Sequence, residues 1–390
     1  MTSINRPLDT APPAGATAPP AGGAAPPPAD TASADRRTSR SFTALIVSAG
    51  LIMLTFGLWL GDAWPGDKVS VLLDGEPLAV WGLPPVRLIA DLAAIGTVGA
   101  LLTVQLLPRT DGELGETAQR ALRGATRFAL VWGIAGLVML IFTFSDTSGL
   151  PFAQLPLRAF TAIDPSFPEA IPYLFGVILA LVLAGAASVT ERRQGALIIL
   201  GLALYNLLPI TTQGHGQHSP ITAYSLTVHF VAVALWVGGL AGLVLYVRRS
   251  PESLAVAVPR FSQIALACFI VVALSGATQA WVNMEDPAEL WRSPYGLLVA
   301  GKMTLLVALG IFGWWHRRKT VPAVVAGRSR RAFFRLAVVE VAVMAAAAAL
   351  GVALSDTSTP ATQVNHAAGT SSVENSNYDI IDFAKALTNP

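Results

Sequence analysis

Nine long apolar runs leave this chain one solvent for most of its length: roughly 42–61, 85–107, 127–145, 170–188, 195–214, 222–247, 262–283, 297–315 and 334–355. About 20 apolar residues, at 1.5 Å each, cross a hydrocarbon core of roughly 30 Å. Within lipid the backbone must satisfy its own hydrogen bonds, which restricts such runs to helices or closed barrels. A buried helix of a soluble protein is shorter, about 12 residues, and carries a polar stripe on one face; these runs carry none. With 53% hydrophobic and 13% charged residues, the 390-residue chain is expected to be all-α, a polytopic membrane helix bundle of about nine transmembrane helices surrounded by membrane lipid.

The net charge of +2 says little, but its distribution orients the bundle. Arg36, Arg37 and Arg40 precede the first run, and Arg109, Arg120, Arg123 and Arg127 separate the second from the third. Arg192 and Arg193 follow the fourth, Arg248, Arg249 and Arg260 the sixth, and seven Lys and Arg lie between His316 and Arg335 after the eighth. The alternate connections hold only Lys68, Arg87, Arg158 and Arg292, with Lys385 near the end of the chain. The excess of basic residues on cytoplasmic loops predicts N-terminus in and C-terminus out, in the inner (plasma) membrane.

Composition divides the chain into four regions. Residues 1–40, rich in Pro and Ala, are expected to be a disordered cytoplasmic tail, because they hold almost no large apolar side chain to offset chain entropy. Residues 41–190 form a four-span region, 191–355 a five-span region and 356–390 an extracytoplasmic tail. Arg36-Arg37 before the first run faintly resembles a twin-arginine signal, but the run is long and has no small-residue cleavage site, so a retained anchor is expected. Connection 62–84, with Trp64 and Trp81, reads as a hairpin at headgroup depth. The single cysteine, Cys268, falls inside the seventh run, which excludes a disulfide framework and a Cys metal motif.

Three of the five histidines crowd the outer end. The turn near 219–221 places His215 about five residues before the reversal and His229 about nine after it, axial depths of roughly 8 and 13 Å. Imidazoles on facing helices can then meet, with His218 nearer the mouth. Neutral imidazoles suit Cu, Zn, Ni or haem iron, whereas Ca or Mg prefer oxygen. The plainer reading is a histidine bonded across helices or solvated in a loop. It weighs least for His229, an ionisable group within a span.

Met284 and Met303, thioether donors that favour Cu(I), lie towards the same end and otherwise serve packing. Lys302 and Glu340 are charges inside spans, too far apart in depth for a direct ion pair. Lys302 can snorkel outward; Glu340 is expected to face the bundle interior or to meet Arg335 or Arg127. Trp236, two turns from His229, is placed to shield a path. His316 reads as an interfacial residue and His366 as a solvated one. No nucleophile, phosphate loop or paired carboxylates suggest an enzyme.

Arg260-Phe261-Ser262, Ser275-Gly276, Tyr295-Gly296 before Lys302, Arg317-Arg318, and Arg335 with Glu340 form a set that resembles the CopD copper-resistance family of bacterial inner-membrane proteins. Leu235 to Leu240 after His229 is similar to the upstream part of longer CopD-type proteins. The leader and first four spans resemble actinobacterial versions in which a CopD-like region is fused to a CtaG-like membrane domain, whose spans would follow residue 355.

The resemblance implies ion transport and copper resistance: His215, His218 and His229 become copper ligands. A periplasmic CopC-like protein becomes a possible partner; nucleic acid is not expected. Two other readings remain open. One is a b-type haem or quinone-linked protein using His215 and His229 as a pair. The other is a structural or assembly membrane partner without metal.

Overall fold

The computed structural model describes residues 29–65, 77–109, 114–148, 152, 170–208, 220–284, 286–326 and 330–360. The chain divides into Met1–Ser41 and Phe42–Pro390. Of the first unit, only helical turns from Ala29 onward are described; the architecture below is that of the second.

Every regular element among the described residues is a helix. The longer elements are α1 (Ala29–Leu60), α2 (Pro77–Leu106), α3 (Glu116–Ser148), α4 (Ala170–Val189), α5 (Arg193–Tyr205) and α6 (Pro220–Gly242). They continue as α7 (Pro251–Asn283), the one-turn α8 (Glu289–Arg292), α9 (Pro294–Trp315), the short α10 (Val321–Val325) and α11 (Arg330–Asp356). Two π-helical turns, Leu243–Val247 and His316–Thr320, extend α6 and α9.

Seven of these helices are long and apolar enough to cross a membrane. The first and fifth expected spans are present as apolar helices of 17 and 13 residues, Ala44–Leu60 and Arg193–Tyr205, short of a full crossing within the described residues. Several helices start earlier than hydropathy alone indicates. α1 begins directly after the last of three consecutive prolines, so 29–40, expected to be disordered, is helix. α2 begins at Pro77 and takes up Trp81 and Pro84 from the end of the connection expected as a hairpin, whose residues 66–76 lie outside those described. Pro84 and Pro85 lie in the eighth and ninth positions, past the first turn, and each forgoes one helical hydrogen bond, a loss that packing against neighbouring helices makes tolerable. Trp81 meets Trp64 edge to face at 5.3 Å.

Serine-proline pairs begin both α7 and α9. Ser250 and Ser293 accept from the backbone N–H of Ser253 and Gly296 at 3.3 and 2.9 Å, while Pro251 and Pro294 supply a preset first turn.

α2 is the most buried span. It packs along α3 and α6 and touches α5, α7 and α11. Contact with α6 is close enough that a β-carbon on Gly99 or Gly238 would collide with the backbone of the other helix. Thr103 and Gly242 repeat the approach one turn on, a small-xxx-small seam on each helix. At the far end of α2 two arginines reach over from other helices. Arg260 donates to Leu106 O and Leu107 O at 3.1 and 3.0 Å; Arg193 donates to Leu107 O at 3.1 Å and to Gln105 O. These carbonyls have no helical partner and carry the negative end of the helix dipole, so guanidinium groups fit them doubly well.

Candidate functional site

Near the end of the bundle that bears the N-termini of α6 and α9, three helices bring polar groups to one level. His229 lies nine residues into α6, Lys302 eight into α9, and Ser275 eight before the end of α7. At 1.5 Å per residue all sit about 12–14 Å from those ends. The His229 ring reaches α7, where Nδ1 and Ser275 Oγ are 2.9 Å apart. Its Cε1 edge faces Gly276, which leaves room for the imidazole.

The chain of hydrogen bonds sets the tautomer. The Ser275 hydroxyl gives its single proton to Val271 O at 2.6 Å, so towards His229 it acts as acceptor and Nδ1 carries the hydrogen. The Val272 carbonyl, 3.2 Å from that hydroxyl, also acts on the ring. Nε2 makes no hydrogen bond among the described residues and presents its lone pair. A ring oriented through one nitrogen, with the other free, is the arrangement of a metal-ligating histidine and its outer partner.

Lys302 is the charged side chain that acts on the His229 ring. Its Nζ lies 3.4 Å from where a β-carbon on Gly351 would sit, so this glycine of α11 leaves a niche for the ammonium. Among the described residues Lys302 has no ion pair.

The other expected site residues divide. His215 and His218 lie outside the described residues, as does His366; bis-histidine ligation of haem would need the first of these beside His229. Met284 is half-buried at the last turn of α7, about 13 Å along the helix from Ser275 and so at the mouth rather than the level of the ring. Met303 is 53% exposed and points away from the bundle. Trp236 is buried, with its edge 5.6 Å from the Phe269 ring between α6 and α7, which makes it a packing wall below His229. Among the described residues no group of three or more His, Cys, Asp and Glu side chains converges.

Glu340 faces the interior, as expected for a carboxyl in a span, but its partner is neither Arg335 nor Arg127. Its Oε2 lies 3.2 Å from His316 Nε2, and both residues are buried. His316, expected at the interface, is packed between helices rather than exposed. The imidazole packs inward at the start of the π-turn, while the next three residues, Arg317, Arg318 and Lys319, are exposed.

One intramembrane charge escapes a reading by apolar runs. Asp91 sits in the middle of α2, one turn after Arg87, which acts on it electrostatically. An acidic residue within 85–107, with a basic residue four positions earlier, is the signal that identifies it.

Residues 255–354 match the family model described as Copper resistance protein D, CopD. This stretch contains α7 from its second turn, α9 and nearly all of α11, and so Ser275, Lys302, His316 and Glu340, while His229 lies just upstream. No curated protein and no solved structure matches the chain.

Proposed function

We propose that this chain, a member of the copper-resistance protein D family through residues 255–354, accepts copper at its extracytoplasmic face and passes it inward. His229 is the first committed ligand, through Nε2. His215 and His218, on the connection that leads into α6, complete the coordination and take up the ion at the mouth. The basic connections on the opposite side favour this orientation, and nine crossings follow if both short apolar helices cross as well. A CopC-like periplasmic protein is a source of the ion that suits this orientation.

One observation carries the reading: the Val271–Ser275–His229 hydrogen-bond chain holds an intramembrane imidazole in the tautomer whose free nitrogen can bind metal. The bond to Ser275 would serve packing across helices as well; the free Nε2 is what favours the metal reading. Trp236 shields the path below the ring, and Lys302, which acts on that ring, disfavours lingering positive charge, so the ion is held loosely enough to move on.

The test is metal analysis of the full-length protein purified in detergent, compared with His229→Ala and with His215→Ala/His229→Ala. Copper that co-purifies with the parent and is lost from the variants supports the reading. Equal copper in all three, or a Soret band in the parent, defeats it.

A further inference from the structure

His316 and Glu340 are the only buried His, Lys, Arg, Asp or Glu residues among those described, and they touch. They come from different helices, α9's π-turn and α11, at the end of the bundle opposite His229. The 3.2 Å contact does not have hydrogen-bond geometry. Neither His316 nitrogen has a hydrogen-bond partner among the described residues, although both are shielded from solvent.

Burying an imidazole with two unmet nitrogens beside a carboxylate is costly, and a plain ion pair would align the N–H to recover part of it. A shared cation needs no such alignment. Metal–nitrogen and metal–oxygen bonds of about 2.0–2.2 Å place adjacent donor atoms roughly 3 Å apart.

The surrounding cations are directed elsewhere. Arg318 lies over the Trp314 ring at 4.8 Å, Lys319 over Trp315 at 4.1 Å, and Arg317 donates to Ser262 O at 3.3 Å. Arg335, one and a half turns before Glu340, is exposed. Phe333 packs edge-on against the His316 ring at 5.7 Å and limits its rotation.

We infer that His316 Nε2 and Glu340 Oε2 form a second metal site, on the side of the basic connections, for a divalent ion of the copper–zinc part of the series. Mixed imidazole and carboxylate donors suit Cu(II) and Zn(II). Two protein ligands, with water completing the shell, make a weak site, which is what release requires. Its role as the exit for an ion taken up at His229 rests on the function proposed above; the binding itself does not.

The experiment uses the full chain with His215, His218, His229 and His366 replaced by Ala, which leaves His316 as the one imidazole. Titration with Cu(II) chloride, followed by electron paramagnetic resonance, is expected to show one bound equivalent with a single-nitrogen signature. Adding Glu340→Gln or His316→Gln is expected to abolish it. If the four-histidine variant binds copper as the parent does and Glu340→Gln removes it from both, the outer site fails and the inner one stands. If the variant binds none, or Glu340→Gln leaves its copper in place, the inner site is overturned.

A measurement on the unaltered protein guards against misfolded variants. In oriented vesicles preloaded with Cu(II), an impermeant chelator on the face of the basic connections should strip one equivalent. Removal of none also overturns the inference.

Discussion

Ser275 orients the His229 ring through Nδ1, so under the proposed function a hydroxyl that touches no metal would tune affinity. Ser275→Ala leaves Nδ1 without its acceptor and lets the ring rotate or change tautomer. Copper affinity is expected to fall about 10- to 100-fold, while Ser275→Thr, which keeps the hydroxyl, stays near the parent value. Stability of the alanine variant should change by only about 1 kcal/mol, the size of one hydrogen bond. Copper titration beside a thermal melt checks both. Lys302→Met tests the neighbouring ammonium: Coulomb repulsion scales with ionic charge, so its removal should strengthen binding of Cu(II) more than of Cu(I). A competitive titration in each oxidation state reads the difference.

At the scale of elements, the α2–α6 seam and the arginine caps of α2 carry the scaffold that holds the site. Gly238→Val places branched carbon where α6 meets Ile95 O and Gly99, and the helices must separate. Overpacking of this kind costs about 1–3 kcal/mol, more where backbone is the obstacle, and is expected to lower the melting temperature and the yield of monodisperse protein. Gly313→Ala, at a position where an added β-carbon meets nothing within 4 Å, is the matched control. Arg260→Gln deprives the end of α2 of two charge-assisted bonds; a loss of about 1–3 kcal/mol is expected in the same melt.

For the whole molecule, two polar levels sit at opposite ends of one bundle. His229, Ser275 and Lys302 lie at the end where α6 and α9 start, and His316 with Glu340 lies where α9 turns into the basic segment. The proposed orientation is open to direct measurement. Cysteines placed in the 110–113 and 327–329 connections should be protected from an impermeant thiol reagent in intact cells, and one at Asp286 should react. The reverse pattern would invert the direction proposed for the ion.

Much of this was legible in the chain. Run length and composition are one-dimensional quantities, and the bilayer reads them directly, so the all-helical membrane bundle and its level-by-level depths follow from counting residues. Those depths separate Lys302 from Glu340, whereas the common level of His229 and Lys302 emerged only with the observed helix starts at Pro220 and Pro294. Helix starts were missed at α1 and α2 because helices extend beyond the hydrocarbon core, where hydropathy gives no signal. Partner choice was decided only by tertiary structure, since it depends on helix rotation and crossing. Ser275-Gly276 was visible as a dipeptide, yet nothing local ties it to a ring 46 positions away. Glu340 had several cations within reach by depth, and it was the packing of the end of α9 against α11 that selected the imidazole of His316.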